Sequence, residues 1–151
     1  MRLDILMLAC AAGALATSAI AQTQRYEVTV SPGHKTAGYQ KLKVERAAIG
    51  SAPIRVWANT AIDPDCSAAK PGATLTVLQP PEHGVAEVRN EPYYAAFPPA
   101  NPRSACNDRK VPGNQAFYTA ASGYTGHDRM VLQGSSPDGA VRQIAVDITV
   151  R

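Results

Sequence analysis

Positions 117–150 carry the pattern that most restricts the fold. Two stretches of alternating apolar and polar residues are separated by a Ser-Pro-Asp-Gly turn, and a glycine-rich corner precedes them. In the last stretch Ile144, Val146, Ile148 and Val150 stand against Gln143, Asp147 and Arg151. A period of two puts one set of side chains on the buried face of a strand. No window of helix length keeps a period of three to four, and 12 prolines and 11 glycines interrupt almost every stretch. The expected fold is therefore all-β: an antiparallel β-sandwich of about seven to eight strands with Greek-key connections.

The pattern predicts strands at 26–30, 40–47, 54–59, 73–79, 85–89, 115–120, 129–133 and 141–150. Leu42 and Val44 alternate with Lys41, Lys43 and Glu45 in the second of these. Turn residues divide the strands. Ser31-Pro32-Gly33 ends the first, Pro71-Gly72 opens the fourth, Pro80-Pro81-Glu82-His83-Gly84 is expected to join a hairpin, and Ser136-Pro137-Asp138-Gly139 joins the last two. Segment 90–113 holds five prolines, at 92, 98, 99, 102 and 112, and cannot be a central strand. A loop of that length in a compact domain is usually functional or poorly ordered, and Cys106 is expected to pin part of it.

At the other end, Arg2 precedes an apolar stretch and small residues lead to Ala19-Ile20-Ala21. These features fit a secretory signal peptide over 1–21, cut before Gln22. Too few apolar residues precede Cys10 for lipid attachment there. The expected mature domain is 22–151, exported to the periplasm or beyond, with no membrane span. It keeps a formal net charge of +3, because the leader carries one Arg and one Asp. Lys and Arg are scattered, with no run of five or more, which argues against a nucleic-acid or lipid patch.

Processing removes Cys10 and leaves Cys66 and Cys106. In an oxidising compartment two cysteines make one expected disulfide, closing a loop worth about 4 kcal/mol of stabilisation. A redox or metal pair is disfavoured by the absence of a C-x-x-C spacing.

Leu75-Thr76-Val77, Pro80-Pro81-Glu82-His83-Gly84-Val85-Ala86, Phe117-Tyr118-Thr119-Ala120 and Gly123-Tyr124-Thr125-Gly126-His127-Asp128 occur in that order before a closing strand. The order resembles the bacterial Ig-like and cadherin-like domains of exported proteins, over 73–150. Ala120-Ala121 and Arg129-Met130 depart from the pattern, which usually has a proline and a polar-aromatic pair there. The resemblance implies a non-catalytic module for protein interaction or envelope structure. An alternative reading is a periplasmic accessory subunit or carrier for a small ligand or metal.

Independently of that resemblance, Gly123 and Gly126 allow positive φ at the corner, and Asp128 can accept backbone hydrogen bonds from that turn. Tyr118 and Tyr124 can pack a ring while the hydroxyl finds a partner. His34, His83 and His127 form no H-x-H or H-E-x-x-H pair, so no metal or other cofactor is expected. Asp63, Asp65 and Asp128 do not complete a calcium loop. Ser135 and Ser136 lack a G-x-S-x-G frame, and no catalytic residue is assigned. The candidate binding residues are Tyr93, Tyr94 and Phe97 on the proline-stiffened loop, with Arg103 beside them and Arg109 and Lys110 as a rim. The expected partner is a protein or cell-envelope component. The competing reading is that the three rings fill the core.

Overall fold

The computed structural model describes residues 38–151. The expected leader over 1–21, the strand at 26–30, the turn at 31–33 and His34 lie outside the described residues. Within them the chain is all-β apart from a short 3-10 helix, Ser104–Asp108. The strands are β1 (Tyr39–Ala48), β2 (Ile54–Asn59), β3 (Thr74–Gln79), β4 (Gly84–Asn90), β5 (Tyr93–Tyr94), β6 (Lys110–Val111), β7 (Asn114–Ala120), β8 (Gly126–Ser135) and β9 (Val141–Val150).

Seven of these strands build two sheets, ordered β1-β9-β8-β3 and β2-β7-β4, while β5 and β6 form a small ribbon of their own. All pairings are antiparallel except one: β1 runs parallel to β9, from Tyr39 opposite Val141 to Ala48 opposite Val150. The β8–β9 hairpin closes where the Ser-Pro-Asp-Gly turn falls, with Gly139 at φ +81° and the Asp138 carboxylate accepting from the Ala140 N–H. Segment 80–84 does not make a hairpin. β3 pairs with β8 and β4 with β7, so this turn carries the chain from one sheet to the other. Its Pro-Pro-x-x-Gly composition specifies a reversal, but not which strand lies alongside afterwards.

Each sheet turns one phase of its alternation toward a common core, an arrangement consistent with a β-sandwich. Met130 and Leu132 of β8, Ile144, Val146 and Ile148 of β9, Val56 of β2 and Tyr118 of β7 are all 1% exposed or less. Burying an aliphatic side chain of this size contributes about 1.5–3 kcal/mol, so this layer supplies most of the driving force for folding. The period-two pattern read from β1 and β9 is the same phase that meets this core.

Loop 90–113 has a core of its own. Ile62, Ala95, Cys106 and Val111 are buried together, with Cys66, Tyr93 and Phe97 packed against them. A Cys66–Cys106 disulfide joins the two sides, with a Cα–Cα distance of 5.5 Å and 40 positions of separation in sequence. Asn107 ties the loop across its neck, accepting from the Phe97 N–H at 2.9 Å and donating to the Phe97 carbonyl at 3.0 Å. A long loop with little regular structure is thereby held by a bridge, a small apolar cluster and a two-residue ribbon.

Candidate binding groove

Two side-chain constellations stand out, one at the β3–β4 turn and one beside loop 90–113. At the first, Asp128 is only 6% exposed, and its carboxylate accepts four hydrogen bonds. The N–H groups of Glu82 and His83 donate at 3.0 Å each, the Tyr118 hydroxyl at 3.0 Å and the Arg129 N–H at 2.8 Å. Burial alone would raise this carboxyl, but the three backbone N–H groups and the hydroxyl outweigh it and hold the group below the ordinary carboxylate value. Burial also pushes the Tyr118 phenol up, reinforced by its hydrogen bond to Asp128.

The sequence places Asp128 at the glycine corner, but two of its four donors, the Glu82 and His83 N–H groups, belong to another turn. It clamps the crossing between the sheets at Glu82 and His83. Gly123 and Gly126 take φ of +76° and +136°, conformations that L side chains rarely adopt. Tyr124 folds back over Gly126 to donate its hydroxyl to the His127 carbonyl at 2.7 Å, and its ring stacks on His83 at 4.3 Å. Every polar group of this corner named here has a protein partner. The arrangement holds two turns together, and a cavity of about 280 Å³ beside it is lined by Glu82, His83, His127, Asp128 and Arg129. Among the described residues no group of three or more His, Cys, Asp or Glu is placed to hold a metal ion.

The second constellation is a groove of about 580 Å³ between β1, β2 and loop 90–113. Its volume falls in the range of ligand-binding clefts. Tyr93, Tyr94 and Phe97 all line it, as do Trp57 and three arginines, Arg46, Arg55 and Arg142. The loop rings divide their roles. Tyr93 and Phe97 are half-buried against the disulfide cluster, whereas Tyr94 is 59% exposed. Tyr93 packs closely on Gly113, where an added Cβ would stand 2.5 Å from its Cε1, and burial raises its phenol pKa. Arg55 sits over the Tyr93 ring at 5.5 Å.

Arg103 is not brought into this groove. Its Nε donates to the Ile62 carbonyl, and the residue lines a neighbouring cavity of about 400 Å³ that shares Phe97 and Thr60 with the groove. Arg109 and Lys110 are exposed and line neither space.

The groove arginines come from β1, β2 and β9, far from the loop in sequence. Arg46 donates from Nε to the Val56 carbonyl at 3.1 Å, Arg55 from Nη1 to Gln115 at 2.9 Å and Arg142 from Nε to Gln40 at 3.1 Å. Their partners are neutral. None of the three pairs with a carboxylate among the described residues, and no Asp or Glu among them lines the groove. One signal for Arg46 was present in the sequence: it continues the inward phase of Leu42 and Val44, where an aliphatic residue would be expected.

Comparison with known proteins adds little. No family model matches the chain, and no curated protein matches it. Among solved structures, the solution structure of Amebosin aligns over 75% of this chain and 98% of that one, at 12% identity and a TM-score of 0.40. That likeness is too slight to bear on fold or function.

Proposed function

We propose that this chain is an exported, non-catalytic Ig-like module that binds a protein or cell-envelope partner through the groove beside loop 90–113. The strand layout supports the Ig-like part. β2, β7 and β4 take the places of the B, E and D strands of such a sandwich, and β3, β8 and β9 those of C, F and G. Consecutive strands change sheets repeatedly, as Greek-key connections require. The disulfide fits an oxidising compartment.

The observation that carries the binding reading is Tyr94. A large ring, 59% exposed, is held on a loop whose neighbours Tyr93 and Ala95 are anchored below it, so contact area is offered at low entropic cost. A photo-crosslinking residue installed at Tyr94 of the full-length oxidised protein, in its native envelope, is expected to capture a discrete protein partner. The same residue at Val85, exposed on β4, serves as the control. Equal capture at both positions, or none at Tyr94 in a folded sample, overturns the reading.

A further inference from the structure

From the groove's charge and length, we infer that its occupant is an extended acidic peptide segment of a partner protein. The inference rests on the interaction reading above and specifies the chemistry of that partner.

Charge is the first reason. Three guanidiniums line one groove, each hydrogen-bonded only to neutral groups and none facing a carboxylate among the described residues. Arg55 retains Nε and Nη2, and Arg142 both terminal nitrogens, free of side-chain and backbone partners among the described residues. A planar guanidinium with such free donors matches a carboxylate in a two-point contact.

Length is the second. Arg142 stands opposite Gln40 in the parallel β1–β9 register, and Arg46 lies six positions further along β1. At about 3.3 Å per residue the two arginine backbones are roughly 20 Å apart along the strand. Trp57 and Tyr94 line the stretch with the partly exposed side chain of Leu42. Cations toward the ends and apolar surface between them suit a linear chain with acids at both ends and apolar residues in the middle.

The third reason separates a peptide from an acidic polysaccharide. Each sugar hydroxyl brings a proton that needs an acceptor, and the groove has no carboxylate among the described residues; its side-chain oxygens are those of Asn59, Thr60, Ser136, Tyr93 and Tyr94. Its aliphatic patches suit leucine-like side chains better than hydroxyl-rich rings.

Trp57 is the only tryptophan of the chain and lines the groove, so its emission reports occupancy directly. The full-length oxidised protein would be titrated with a short peptide bearing glutamates roughly six positions apart, with leucines and a tyrosine-free apolar stretch between them. Its glutamine and lysine counterparts, and oligogalacturonate, would be run alongside. A saturable Trp57 change is expected with the glutamate peptide alone, weakened about tenfold in 0.5 M salt. Arg142→Gln should weaken it about tenfold at an unchanged melting temperature, with partial recovery in Arg142→Lys. No saturable response to the glutamate peptide, equal binding of the glutamine peptide, tighter binding of oligogalacturonate, or full binding by Arg142→Gln would each overturn the inference. If crosslinking through Tyr94 persists in that case, only the acidic class falls and the interaction module stands; if crosslinking also fails, both fall.

Discussion

The corner around Asp128 and the groove around Tyr94 use similar residue types to opposite ends. Each combines tyrosines with charged side chains, yet in the corner the charge is consumed. The Asp128 carboxylate takes four donors, and the Tyr118 ring below it is fully buried. In the groove the arginines bond only neutral acceptors, Arg46 two backbone carbonyls and Arg55 and Arg142 one side chain each, and the most prominent ring is in solvent. A buried charge surrounded by partners holds structure together, because losing any partner leaves a desolvated group unsatisfied. A half-solvated cation with spare donors costs the fold little and remains available to a ligand.

The largest effect expected from testing this contrast lies beneath the groove. Replacing Cys66 and Cys106 together by Ala should lower stability by about 4 kcal/mol, measured by denaturant unfolding, since the loop depends on the bridge for closure. Response of Tyr94 accessibility before the main transition would show that the loop opens separately from the sandwich. A loss under about 1 kcal/mol would mean that the small cluster holds the loop unaided.

Next comes Asp128→Asn. It keeps the shape of the side chain but turns an amide donor toward N–H groups, and should cost about 3 kcal/mol, seen as a fall in Tm of roughly 10 °C. An unchanged Tm would remove the clamp from the account of the corner.

The same pair sets limits in pH. Asp128 has a folded pKa below its ordinary 3.8, so its stabilisation is complete above that value and is lost as pH falls below it. Tyr118 has a folded pKa above its ordinary 10.0, so its contribution is complete below pH 10 and is lost as pH rises beyond it. Unfolding free energy measured against pH should therefore fall at both extremes. In Asp128→Asn the acid limb attributable to this group should vanish, while the alkaline limb persists in weaker form because burial is its main cause.

The smallest effect belongs to the groove surface. Tyr94→Ala should change stability by no more than about 0.5 kcal/mol, whereas Phe97→Ala, half-buried on the disulfide cluster, should cost more. Equal losses would return Tyr94 to the core and weaken the comparison with the corner.

Much of the framework was legible in the chain, and the reasons differ by element. β2 and β9 fall on the expected 54–59 and 141–150, because alternation and turn residues are local properties that need no partner. β8 runs longer than the expected 129–133, reaching back to Gly126, since a pairing strand can recruit glycine and polar positions that have little strand propensity of their own. β5 and β6, two residues each, were invisible because their pairing depends on the folded path of loop 90–113. Of the candidate binding residues, Tyr93, Tyr94 and Phe97 meet in one groove, but Arg103 turns to Ile62, and the arginines that do line the groove come from strands distant in sequence.

Read alone, the sequence determines the period of each strand, the positions of reversal and, through two cysteines outside the expected leader, the one bridge available to residues 22–151. These follow from the chemistry of neighbouring residues and from counting. The tertiary structure decides which turn crosses between sheets, which turn Asp128 clamps, and which cations share a groove with Tyr94. Those are matters of long-range pairing, and β1 alone illustrates why: only its parallel register against β9 sets Arg46 and Arg142 along one face, about a hundred positions apart in the chain.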